Sequence, residues 1–152
     1  MRHDMNHSNQ ILNDLVSATR DGKGFYEHAA SMVSDPELRT LFTRLAKVKG
    51  DIVKGLSDEI RATGDKPVDS STWSGDFNKL YGEVRALLGD KNYAYVAQLE
   101  ESEDQLMKAF NKALDNMDTT DHARTVITRF LPEVRSCHEI MRSRKIALKK
   151  AA

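Results

Sequence analysis

Hydrophobic positions along this chain recur at intervals of three and four, the spacing of helices with one buried face. In the first segment the inner stripe reads Leu12, Leu15, Thr19, Gly22, Tyr26, Ala29 and Val33, widened by Ile11, Ala18, Phe25 and Met32. It predicts a long helix from about Ser8 or Asn9 to Val33. Gly22 and Gly24 each cost that helix roughly 1 kcal/mol relative to alanine. Gly22 lies on the inner face, where close approach of a neighbouring helix compensates; Gly24 has no evident reason. Ser34-Asp35-Pro36-Glu37 then supplies a capping residue, a first-turn proline and a glutamate at capping-box spacing. So short a turn returns the second helix antiparallel to the first. The second helix, Pro36 to about Ala62, is expected to bury Leu38, Leu41, Phe42, Leu45, Val48, Ile52 and Leu56. Lys47, Lys49, Lys54 and Asp58 are assigned to its outer face, and Gly64 ends it.

The pattern changes after Gly64. Asp65 to Thr72 has the composition of a loop. Phe77, Leu80, Tyr81, Val84, Leu87 and Leu88 then describe a short amphipathic helix ending at Gly89, with Trp73 before it as a packing anchor. A third long helix, about Asp90 to Met117, carries the stripe Val96, Leu99, Glu103, Leu106, Phe110 and Ala113. Its middle position is a carboxylate, the one place where the chain breaks its own hydrophobic rule. After the turn Asp118-Thr119-Thr120-Asp121, in which Thr119, Thr120 or Asp121 caps, the last helix runs to about Lys149. Its stripe passes through Val126, Ile127, Phe130, Leu131, Val134, Cys137, Ile140 and Met141. Pro132 within it implies a kink or a later start.

These elements predict an all-α four-helix bundle, a single domain over residues 9–150 behind a disordered tail of residues 1–8. The connection between the second and third long helices is long enough to cross the bundle lengthwise, giving one-crossover topology. An up-down-up-down bundle with a small extra helix is the alternative. No period-two segment argues for a strand, and no internal repeat is present.

Composition narrows the function more than the fold. At 152 residues the chain can bury a substantial core. Lys plus Arg and Asp plus Glu both number 23, so no net field draws the protein to nucleic acid or to an anionic membrane. The lone Cys137 cannot form an internal disulfide, and a reducing cytoplasm is the simple setting. The polar start, Met1 to Gln10, lacks a secretory apolar run, and no stretch approaches the roughly 20 apolar residues of a membrane span.

Several stretches carry a resemblance: Ile11-Leu12-Asn13-Asp14-Leu15, Asp21 to Ala30, Asp35-Pro36-Glu37-Leu38, Leu99-Glu100-Glu101-Ser102-Glu103-Asp104 and Val134 to Glu139. Together they resemble a bacterial family of ferritin-like four-helix bundles, domain-of-unknown-function family 2383. The likeness covers Asn9 to Ala113 well and the last helix more loosely. It implies the ferritin-like fold and assigns little chemistry.

Ferritin-like di-iron sites need a Glu from each of two helices and a Glu-x-x-His pair from each of the other two. Here Phe25 precedes His28 by three, Thr119 precedes His122 and Arg135 precedes His138, so the motif is absent from the helices. A reduced site for iron or another divalent metal would draw on Glu103, His138, Glu27 and Asp51. The simpler reading is a buried polar cluster in which Glu103 meets Tyr26 or His138 at one level of the bundle. Cys137 reads as a buried thiol rather than a nucleophile, because the adjacent His138 points elsewhere. The basic run Arg142, Arg144, Lys145, Lys149 and Lys150 complements the dipole of the last helix; an RNA, DNA or acidic-protein contact is the weaker reading. No phosphate loop, Ser-His-Asp arrangement or dinucleotide fingerprint is present. The leading expectation is a cofactor-free, non-enzymatic cytoplasmic bundle that self-associates, with a dimer favoured, or binds an unidentified protein, with stress as one setting. A metal-binding redox or storage protein is the alternative.

Overall fold

The computed structural model describes residues 2–69 and 90–151. Its helices are α1 (Arg2–Met32), α2 (Pro36–Ala62), α3 (Lys91–Asp115) and α4 (Asp121–Ala151). The short helix expected around Phe77 to Leu88 and the Trp73 anchor lie outside the described residues.

Local chemistry ends each helix. Asp35 caps α2, its Oδ1 accepting from the Glu37 amide at 2.9 Å, and Pro36 opens the first turn. Arg39 reaches back over this turn, donating to the carbonyls of Ala30 (3.3 Å) and Val33 (3.0 Å) at the exposed end of α1. Gly64 follows α2 at φ 84, a left-handed conformation in which its amide bonds the Arg61 carbonyl at 2.9 Å. Of the three residues expected to cap α4, Thr120 does so, its Oγ1 accepting from the Ala123 amide at 3.2 Å. α4 continues through Pro132, which is exposed, as is Thr128. Pro132 has no amide to offer the Thr128 carbonyl, and this missing bond lies on the exposed side of α4.

Side chains at the two ends of the bundle settle its topology. At one end Ser8 Oγ accepts from the Thr120 amide (3.1 Å), and Asn9 Nδ2 donates to Thr63 Oγ1 (2.9 Å) and Asp65 Oδ2 (3.2 Å). At the other, the Ser34 amide donates to Asn92 Oδ1 at 3.1 Å, and Arg144 pairs with Glu37 at 3.6 Å. The end of α2 and the start of α3 therefore stand at opposite ends, and the two helices run parallel. This is the one-crossover order; up-down-up-down is excluded. The chain leaving α2 turns along α1, where the Val68 amide donates to Asn13 Oδ1 (2.9 Å). α1 packs on α2 and α3, and α4 on α3 and α2.

α1 starts at Arg2 instead of near Ser8, so residues 2–8 are helical where a disordered tail was expected. Ser8 and Asn9 have the chemistry of helix caps, but they are buried and bond across to other elements.

The core divides in two. One cluster gathers Phe25, Tyr26, Phe42, Leu45, Tyr95, Leu99 and Met141; the other gathers Leu12, Val16, Ile52, Leu56, Phe110 and Ile127. Every residue of the predicted α3 stripe is buried, Glu103 included. Where α2 crosses α4, a Cβ on Gly55 would overlap the ring of Phe130, so this glycine permits the close approach. Gly24 has nothing within 4 Å of such a Cβ.

The two glycines should respond oppositely to alanine. Gly24→Ala is expected to gain up to about 1 kcal/mol from helix propensity. Gly55→Ala is expected to lose about 1–3 kcal/mol from overpacking, more than the propensity gain returns. Urea denaturation of both variants checks the contrast.

Candidate functional site

The carboxylate of Glu103 lies where the two apolar clusters meet, and each helix sends one side chain to this level. Lys49 of α2 forms an ion pair with Glu103 Oε1, both side chains being almost wholly buried at 1% and 2% exposure. Tyr26 of α1 donates its hydroxyl to Glu103 Oε2 at 2.7 Å. Cys137 of α4, also buried, lies near enough to the same carboxylate to feel its charge. Gly22 lies beside the Lys49 stem: a Cβ there would stand 4.0 Å from Lys49 Cε.

Burial and charge keep two of these groups protonated. Burial, followed by the neighbouring Glu103 charge and hydrogen bond, pushes the Tyr26 phenol well above its ordinary 10.0. Burial likewise pushes the Cys137 thiol from 9.0 up to about 11, with the Lys49 ammonium pulling back and Glu103 adding to the rise. Both are protonated at pH 7, and Cys137 is no thiolate nucleophile there.

Lys49, expected on the outer face of α2, lies inside. Lysine is seldom buried without a partner, and Glu103 is that partner. Leu45, Lys49, Ile52 and Leu56 are spaced by four, three and four, and all are buried, whereas Val48 is only partly so. That spacing, set beside a lone inner carboxylate on α3, was the signal.

The expected metal residues are not brought together. Glu27 is exposed and pairs with Lys23 at 2.9 Å. Asp51 is exposed on α2. His138 turns away from Glu103 to the α3–α4 surface, its Nε2 lying 3.4 Å from Glu100 and 3.8 Å from Asp104. Of the two partners expected for Glu103, Tyr26 reaches it and His138 does not. His28 packs against Tyr95, their rings 5.9 Å apart, and burial lowers its pKa. The basic run is partly engaged as well: Arg144 pairs with Glu37 and Lys145 with Glu100 at 3.4 Å.

Four helices with one crossover and a mid-bundle carboxylate define a ferritin-like four-helix bundle. The model for the family described as Domain of unknown function (DUF2383) matches residues 8–116, and the chain belongs to that family. A solved ferritin-like, diiron-carboxylate protein from Bacillus anthracis str. Ames is similar in fold, with TM-score 0.72 and 16% identity over 95% of this chain and 99% of that one. No curated protein matches.

The donor set here does not fit a di-metal carboxylate centre. Among the described residues, no group of three or more His, Cys, Asp or Glu side chains is arranged to hold a metal. Both Glu103 oxygens are engaged, one by an ammonium that already supplies the positive charge. A divalent ion at Glu103 would have to displace Lys49 into an apolar surround.

Removing both charges should therefore cost less than the two single losses added together. Lys49→Met or Glu103→Leu alone is expected to cost about 3–5 kcal/mol, because each strands a buried charge. The double variant should be milder than the sum, its main residual loss being the Tyr26 hydroxyl left without an acceptor. A double-mutant cycle by urea denaturation reads the coupling.

Cys137 makes a separate prediction. Its folded pKa is raised, so its contribution is present below pH 9 and is lost as pH climbs toward about 11. Over that window wild type should lose up to about 2–3 kcal/mol more stability than Cys137→Ala, read from denaturation curves at stepped pH.

Proposed function

We propose that this protein is a non-enzymatic ferritin-like bundle that acts through its surface, by associating with itself or by binding a protein partner. The observation that carries this reading is the Lys49–Glu103 pair, which occupies the bundle's polar centre with the chain's own ammonium. A catalytic or storage metal needs several anionic or imidazole donors facing one point. Here the carboxylate at the centre is matched one-to-one by a cation, while Glu27, Asp51 and His138 serve elsewhere. With the interior committed to stability, the surface is left to act. A cytoplasmic setting and a homodimer belong to the same reading. Among the described residues, no helix is long and apolar enough to cross a membrane.

The diiron-carboxylate description of the solved relative favours a second reading, a metal-binding redox or storage protein with a reduced site around Glu103 and His138. One experiment separates the two. Purified wild type and Glu103→Ala are loaded anaerobically with Fe(II), and separately with Mn(II) and Zn(II), and bound metal is quantified after desalting. The surface-acting reading expects no stoichiometric metal in either. Stoichiometric metal in wild type that disappears in Glu103→Ala would overturn it. Sedimentation equilibrium of wild type, with a dimer as the expected species, tests self-association.

A further inference from the structure

α2 and α4 meet closely where Gly55 faces the ring of Phe130. Toward the start of α2 a groove of about 430 Å³ opens, lined by Pro36, Glu37, Thr40, Leu41 and Arg44 of α2 and by Arg144 of α4. The α2 residues are spaced by one, three, one and three, which puts them on one face of the helix. Two guanidinium groups and one carboxylate line the groove, so cations exceed anions there. Glu37 stands 3.6 Å from Arg144, the two side chains 79% and 41% exposed. Such an open pair is weak, and another anion can displace its carboxylate. Among the described residues, Arg44 has no ion pair and the Thr40 hydroxyl no hydrogen bond. Pro36 and the buried Leu41 supply an apolar side to the same groove.

We propose that this groove binds a small organic phosphate, its phosphoryl oxygens held by Arg44, Arg144 and Thr40 and its organic body resting on Pro36 and Leu41. The volume is that of a small-molecule site, and the mixture of apolar wall with a few polar groups is what such sites present. A carboxylate offers two oxygens in one plane, which a single guanidinium satisfies. A phosphomonoester offers three oxygens and close to two charges, so it can engage guanidiniums arriving from two helices together with a hydroxyl. Glu37 is then the internal competitor: it holds Arg144 at the groove in the free protein and yields it to the ligand. This site uses none of the residues around Glu103, and the inference does not rest on the surface-acting reading.

The test titrates phenyl phosphate into the full chain by isothermal calorimetry at about pH 8, where a phosphomonoester is a dianion. Wild type should bind with a Kd on the order of 1 mM. Arg44→Gln and Arg144→Gln should each weaken binding about tenfold. Glu37→Gln should strengthen it about threefold, because the competing carboxylate is gone. Arg142→Gln is the charge control: this exposed residue is outside the groove lining and pairs with Glu139 at 4.0 Å, so its loss should leave affinity unchanged. Inorganic phosphate and benzoate, each lacking one half of the ligand, should both bind more weakly than phenyl phosphate. Far-UV circular dichroism confirms that the variants, all at exposed or half-exposed positions, remain folded. This pattern sustains the proposal. No binding to wild type at about 10 mM, an equal loss in Arg142→Gln, or benzoate or inorganic phosphate binding as tightly as phenyl phosphate overturns it. Metal content and oligomeric state enter no arm of the experiment, so failure here leaves the surface-acting reading standing.

Discussion

Lys49 and Glu103 surrender their hydration to pair at the centre of the bundle, and the rest of the structure is arranged around making that tolerable. Their mutual attraction offsets the desolvation only when geometry is good and the remaining lone pairs are satisfied. Tyr26 provides that satisfaction at the second carboxylate oxygen, and the buried Cys137 lies beside the same group. The four members come from four different helices, so the layer forms only when all helices are in register. Sliding any one by a turn would leave a charge or a hydroxyl in hydrocarbon. Leucine clusters above and below tolerate such slips far better, since dispersion and burial are not directional. The polar layer therefore acts as the register mark of the fold.

The ends of the bundle hold the same register by other means. Ser8 and Asn9 tie the start of α1 to the turn before α4 and to the exit from α2. Ser34 and Asn92 join the opposite end. These bonds link elements far apart in the chain and make α2 and α3 parallel. The layout is shared with a solved diiron-carboxylate protein at only 16% identity, which establishes a fold and leaves the chemistry open. In this chain the mid-bundle carboxylate is Glu103, and Lys49 of α2 takes up its charge.

Much of this architecture was legible in the residues. The three-and-four spacing named the long helices, and the α3 stripe of Val96, Leu99, Glu103, Leu106, Phe110 and Ala113 is buried as read. Asp35-Pro36 and Gly64 marked the ends of α2 because caps act within a turn of themselves. Tyr26 was expected at the level of Glu103 because it sits near the middle of its helix, and it is there. Where reading failed, polar residues were involved. Ser8 and Asn9 looked like the start of α1, Lys49 looked solvated and His138 looked like a partner of Glu103. Each is a residue whose proper environment depends on who else arrives.

The helices, their buried faces, the α1–α2 hairpin and the presence of one carboxylate inside are written in the order of the residues. Those properties follow from periodicity and capping, which are local. Only the tertiary structure decided that α2 and α3 run parallel, that Lys49 points inward and that His138 turns to Glu100 and Asp104. A lysine's hydrophobicity argues for water unless a carboxylate meets it, and the one that does so lies 54 residues away in the chain. Burial of a charge is a property of the pair, and the pair exists only once the helices have packed.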